Sequence, residues 1–169
     1  MFEVLVFVFE NYWRGDACPE LAHLERKLNT VGFDAEEIQD ALVWLKDLHL
    51  AASGLQQPIT SRDEAVCAAT ASYQFFNQSP NTMRVYSALE QSCLSVESLG
   101  FMTFLETAGA LTPHMREIVI DRAMAARADV VPLDDLKIII LMVFWSLGKE
   151  PDALVLDELC EPSVERVAH

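Results

Sequence analysis

From Ile138 to Leu147 every residue except Ser146 is apolar, and this run restricts the fold more than any other part of the chain. Pro132, Asp134 and Asp135 stand before it and Gly148 follows it. Proline and carboxylates suit a helix start, where N–H groups are unpaired and the dipole is positive; glycine suits the residue just past a helix end. A helix from Leu133 to Leu147 that is apolar almost all round has no face to offer water, so it belongs at the centre of a core. It is too short to cross a hydrocarbon layer of about 30 Å. The rest of the chain must therefore supply helices with one apolar stripe each to enclose it.

Such stripes recur along the sequence. Val4 to Phe9 continues through Glu10, Asn11, Tyr12 and Trp13 to a stop at Gly15, about three turns of helix. No basic residue precedes this run, Glu3 lies within it and no small-residue cleavage site follows, so it does not read as an export signal. Pro19 opens a second helix with Leu21, Leu24, Leu28 and Val31 on one side, and Gly32 ends it as a left-handed cap. Asp34 and Glu37 have the spacing of a capping box for a third helix. Its buried stripe is Ile38, Ala41, Leu42, Leu45 and Leu48, widened by Val43 and Trp44.

Residues 51–82 lose that period and carry Gly54, Pro58, Ser79 and Pro80, the composition of a linker with at most one short helix from Ala65 to Phe76. Met83 to Tyr86 alternates and reads as a short extended piece. Ser87, Ser95 and Thr112-Pro113 then start three helices. The second contains Leu99, Phe101, Phe104 and Leu105 and stops at Gly109; the third contains Met115, Ile118, Val119, Ala123 and Met124. Pro151-Asp152 opens a last short helix with Leu154, Leu156, Leu159 and Cys160. The expected fold is all-α, a single domain of about seven helices around the buried C-terminal one. Its parts are an N-terminal three-helix half (1–50), the linker (51–82), a C-terminal helical half (83–160) and a tail (161–169).

Charge and motif narrow the function. With 26 acidic against 12 basic residues the net charge is -14, a field that disfavours nucleic acid and membrane partners unless the cations gather on one face. Cys18, Cys67, Cys93 and Cys160 form no CxxC pair, so free thiols in a reducing, cytoplasmic compartment are expected. His23, His49, His114 and His169 fall in separate elements and imply no metal. Nothing resembles a nucleophile elbow, and the glycines stand singly past helix ends instead of clustering as phosphate loops do, so no catalytic residue and no cofactor is expected. The paired carboxylates Glu36-Glu37 and Asp134-Asp135 answer first-turn amides. Residues 21–48 have the outline of a helix-turn-helix, but the second helix sets Glu36, Glu37, Asp40 and Asp47 against Lys46 alone, which suits packing better than base reading. The candidate interaction residues are Arg84, Arg116, Arg122 and Lys137. Arg116 and Arg122 are not on one strict face, and Glu117, Asp121 and Asp134 lie near enough in sequence to pair with them.

A further signal is the series Met1-Phe2-Glu3-Val4-Leu5, Val31-Gly32-Phe33, Ala41-Leu42-Val43-Trp44-Leu45, Met83-Arg84-Val85-Tyr86, Gly100-Phe101 with Phe104-Leu105, Arg116-Glu117-Ile118-Val119-Ile120, and Leu136-Lys137 before Leu141-Met142-Val143. In this order it resembles the bacterial Smg family. The resemblance implies a small cytosolic proteobacterial protein, often encoded near a DNA-processing protein and topoisomerase I, and brings no catalytic residues. The expected function is a non-enzymatic accessory factor that presents an acidic helical face or an apolar groove to a protein partner, with a DNA-processing protein as a candidate. The alternatives are a nucleic-acid-associated protein using the hairpin, or an acidic mimic of DNA that occupies a DNA-handling protein.

Overall fold

The computed structural model describes residues 1–12, 21–56, 84–126 and 130–160. The expectations for Gly15, Pro19, the short helix from Ala65 to Phe76, Met83, the thiols of Cys18 and Cys67 and the tail from Glu161 lie outside the described residues. Within them the chain is all-α, with eight helices and no strand: α1 (Phe2–Tyr12), α2 (Leu21–Val31), α3 (Ala35–Gln56), α4 (Ala88–Cys93), α5 (Val96–Thr107), α6 (Pro113–Met124), α7 (Leu133–Ser146) and α8 (Ala153–Cys160).

Polar side chains start these helices where the sequence places them. Ser95 Oγ accepts the Ser98 N–H at 3.0 Å, and Thr112 Oγ1 accepts that of Met115 at 3.3 Å with Pro113 next in line. Ser87 and Glu90 form a reciprocal box in which each side chain accepts the other's backbone N–H. That box matters because α4 is only six residues long and buries none of its own side chains. Gly32, Gly109 and Gly148 all adopt positive φ, of 101°, 75° and 61°, and turn the chain just past α2, α5 and α7.

The run that dominated the sequence does lie at the centre. α7 packs against α1 and α3 from the N-terminal side and against α5, α6 and α8 from the C-terminal side. Leu136, Ile139, Ile140, Met142 and Val143 are completely buried there. A short parallel bridge pins the approach to α7: the Val131 N–H donates to the Cys93 carbonyl at 2.7 Å, and the buried Ser98 hydroxyl donates to the Val131 carbonyl at 3.3 Å.

Four local expectations are corrected. α3 does not fade near residue 50 but continues to Gln56, because Ala52 extends the buried stripe of Leu45 and Leu48 by another turn. Asp34 and Glu37 do not form a box. Asp34 caps alone by accepting the Glu36 N–H at 2.8 Å, while Glu37 is taken by the Met1 ammonium at 3.0 Å. Val31 and Val43 are both more than half exposed, since neighbouring helices cover only the opposite sides of α2 and α3. Residues 84–87 pair with no strand; side-chain bonds hold them instead.

Candidate functional site

Arg84 and Arg116 meet through one carboxylate. Glu117, on the first turns of α6, accepts from Arg84 Nε at 3.1 Å and Nη2 at 2.9 Å, and from Arg116 Nε at 3.0 Å and Nη2 at 2.8 Å. Arg84 also reaches Glu90 of α4 with both terminal nitrogens, at 3.0 and 2.7 Å, and stands 4.9 Å from the Tyr86 ring centre. Arg116, only 3 % exposed, donates to Glu106 of α5 as well. The result is a chain Glu90–Arg84–Glu117–Arg116–Glu106 that fastens the segment entering α4 to α5 and α6. Hydrogen bonds to Glu90 and Glu117 hold the Arg84 pKa above its ordinary value. Arg84 in turn holds the Glu90 carboxyl down at about 2, against a smaller upward push from burial. For Glu117 burial is the largest influence and pushes upward, yet the bonds from Arg84 and Arg116 together outweigh it and leave the carboxyl below its usual range.

The other two candidates lie apart from this chain. Arg122 pairs with Asp121 at 2.6 Å and faces Asp47 of α3 at 3.7 Å, while its carbonyl accepts the indole N–H of buried Trp44 at 3.0 Å. Lys137 is 2 % exposed, with its ammonium 5.5 Å from the Phe101 ring centre. Arg84, Arg116, Arg122 and Lys137 thus do not assemble into one exposed basic patch. Three of them are buried, and the three arginines are matched to carboxylates that the fold brings close.

Lys137 instead marks a groove of ≈ 480 Å³ between α5, α7 and α8. α5 supplies Glu97, Gly100, Phe101 and Phe104, at positions i, i+3, i+4 and i+7 of a single helix face. α7 supplies Leu133 and Lys137, one turn apart, and α8 supplies Glu158. The stripe read from the sequence had Phe101, Phe104 and Leu105 all packed inward. Met102 and Leu105 take the core, Phe101 is nearly buried, and Phe104 is left 56 % exposed beside it with ring centres 6.2 Å apart. Gly100 widens the groove: a Cβ there meets no heavy atom within 4 Å. The signal in the sequence was the 97, 100, 101, 104 series itself, but only the position of α8 separates a groove from more core.

Among the described residues no three or more His, Cys, Asp or Glu side chains gather so as to hold a metal ion, and no helix is long and apolar enough to cross a membrane. The described thiols, Cys93 and Cys160, are free. Taken together, these features define an acidic all-α protein built on a buried helix, with an aromatic groove at its surface. A family model described as "Protein of unknown function (DUF494)" matches residues 1–169. Proteins named "Protein Smg homolog" from Leptothrix cholodnii and Methylibium petroleiphilum are each 50 % identical over 100 % of both chains. One from Herminiimonas arsenicoxydans is 42 % identical over 94 % of this chain and 92 % of its own. The chain belongs to this Smg (DUF494) family. No solved structure matches it.

Proposed function

We propose that the protein is a non-enzymatic accessory factor that works in the cytoplasm by binding another protein through the groove between α5, α7 and α8. Phe104 carries the reading. A phenyl ring 56 % exposed, beside a second ring and an open glycine face, leaves apolar surface in water that a partner's side chain could cover. Covering such surface is worth about 25 cal/mol per Å², enough for a groove of this size to anchor an interface. The pairing of Arg84, Arg116 and Arg122 with carboxylates supports a protein partner over nucleic acid, because these guanidinium groups are already engaged. The genomic setting that goes with the family makes a DNA-processing protein a candidate.

Affinity isolation of the C-terminally tagged protein after nuclease treatment, compared with Phe104→Ala, tests this. The expected outcome is a near-stoichiometric protein retained by the native chain and lost from Phe104→Ala, with both chains giving the same circular dichroism and melting temperature. Retention by the variant, or loss of the partner from the native chain once nuclease is added, overturns it.

A further inference from the structure

The three helices around the groove differ sharply in charge from an average surface. α5, α7 and α8 carry Glu97, Glu106, Asp134, Asp135, Asp157 and Glu158 against a single cation, and that cation, Lys137, is buried with its ammonium 5.5 Å from the Phe101 ring centre. Two of these carboxylates, Glu97 on α5 and Glu158 on α8, stand in the groove wall itself, so acids flank the aromatic floor on both helices. The molecule behind them has a net charge of -14. An acidic occupant would bring like charge toward Glu97 and into the field of the whole molecule, whereas a basic one is drawn in by that field and then meets the Glu97 carboxylate at the rim. The volume of ≈ 480 Å³ falls in the range that takes one or two bulky side chains, not an extended surface.

We infer that the groove receives a segment of a partner protein in which a bulky apolar anchor, aromatic or leucine, is flanked by lysine or arginine. The anchor lies on Phe101, Phe104 and Leu133 over the open face of Gly100, and a flanking cation faces Glu97. This deepens the proposed function and rests on it. Gly100 makes it testable without damaging the core, because a side chain added there enters the groove and not the protein interior.

The probe is a fluorescently labelled amphipathic peptide bearing phenylalanine and leucine anchors among lysines, followed by anisotropy against the full chain. Two control peptides accompany it: one with glutamate in place of every lysine, one with serine in place of every anchor. Saturable binding of the first peptide is expected, with each control at least about tenfold weaker. Gly100→Trp and Glu97→Lys should each weaken binding by about tenfold while the far-ultraviolet spectrum and melting temperature stay native-like. Equal binding of the serine peptide, or no effect of either variant, reduces the interaction to general attraction by the negative field and overturns the inference. Preference for the glutamate peptide overturns the charge assignment. Self-association that Gly100→Trp abolishes, with no peptide bound, makes a second copy of the chain the occupant and overturns it equally. If the peptide fails but a partner captured by the native chain is lost from Phe104→Ala, this inference falls and the groove remains a docking site; if both fail, both fall.

Discussion

Glu90 illustrates how much of this molecule is decided by single side chains. Its carboxylate closes the box with Ser87, accepting that N–H at 2.7 Å, and also neutralises Arg84 through two bonds. The Arg84 guanidinium is the main reason its pKa sits at about 2, below the 4.5 of a free glutamate. A carboxyl whose pKa is lower folded than unfolded adds stability above the unfolded value and loses it as pH falls toward the folded one. Glu90→Gln should therefore destabilise the protein by about 2 kcal/mol near neutral pH, with the deficit roughly halved by pH 3. Urea unfolding of both proteins at the two pH values checks this, and an unchanged deficit would mean that capping geometry, not charge, is what Glu90 contributes. Ser87 as the start of α4 was legible in the sequence. The role of Arg84 was not, because its second partner, Glu117, is 33 residues away on another helix.

At the scale of the helix, two glycines should respond in opposite ways to the same substitution. Gly100 lies inside α5 with ordinary helical geometry and open space where a methyl group would stand, so Gly100→Ala should raise stability by about 0.5–1 kcal/mol through helix propensity. Gly148 follows α7 at φ 61°, where a side chain is strained, and Gly148→Ala should cost about 1 kcal/mol despite equally open surroundings. Thermal unfolding of the pair decides it; the same sign for both would refute the assignment of their backbone roles. The contrast also marks what was legible beforehand. Helix starts at Ser87, Ser95 and Thr112 and stops at Gly32, Gly109 and Gly148 depend on a few neighbouring atoms, so the sequence carries them locally. Which side of a helix meets another helix does not depend on neighbours in sequence. Phe104, Val31 and Val43 fit an apolar stripe by spacing and yet face outward, and α3 outran its expected end because its stripe had a core to reach. The groove was hidden for the same reason: its two walls come from helices about 60 residues apart, and the approach of α8 to α5 is a property of how both lean on α7.

For the whole molecule, the central question is whether an N-terminal half and a C-terminal half fold as one. The long stretch between them invites a picture of two units, but α7 belongs to the core of both, with α1 and α3 on one side and α5, α6 and α8 on the other. The Trp44 indole bond to the Arg122 carbonyl adds a direct link from α3 to α6. Neither set of helices can keep its apolar faces dry without α7, and α7 cannot keep its own sides dry without both sets. Leu133 and Lys137, which line the groove, sit on that same helix, so the groove should persist only while both halves are folded. Truncating the completely buried Ile140 to alanine should therefore cost about 2–5 kcal/mol and lower the unfolding midpoint for the entire chain. Urea unfolding followed by far-ultraviolet circular dichroism and by tryptophan fluorescence should show coincident single transitions before and after the substitution. If Ile140→Ala instead splits the two curves, with helical signal surviving after the fluorescence change, α7 is a spine that one half can abandon, and the groove would then open at a concentration of denaturant that leaves the other half intact.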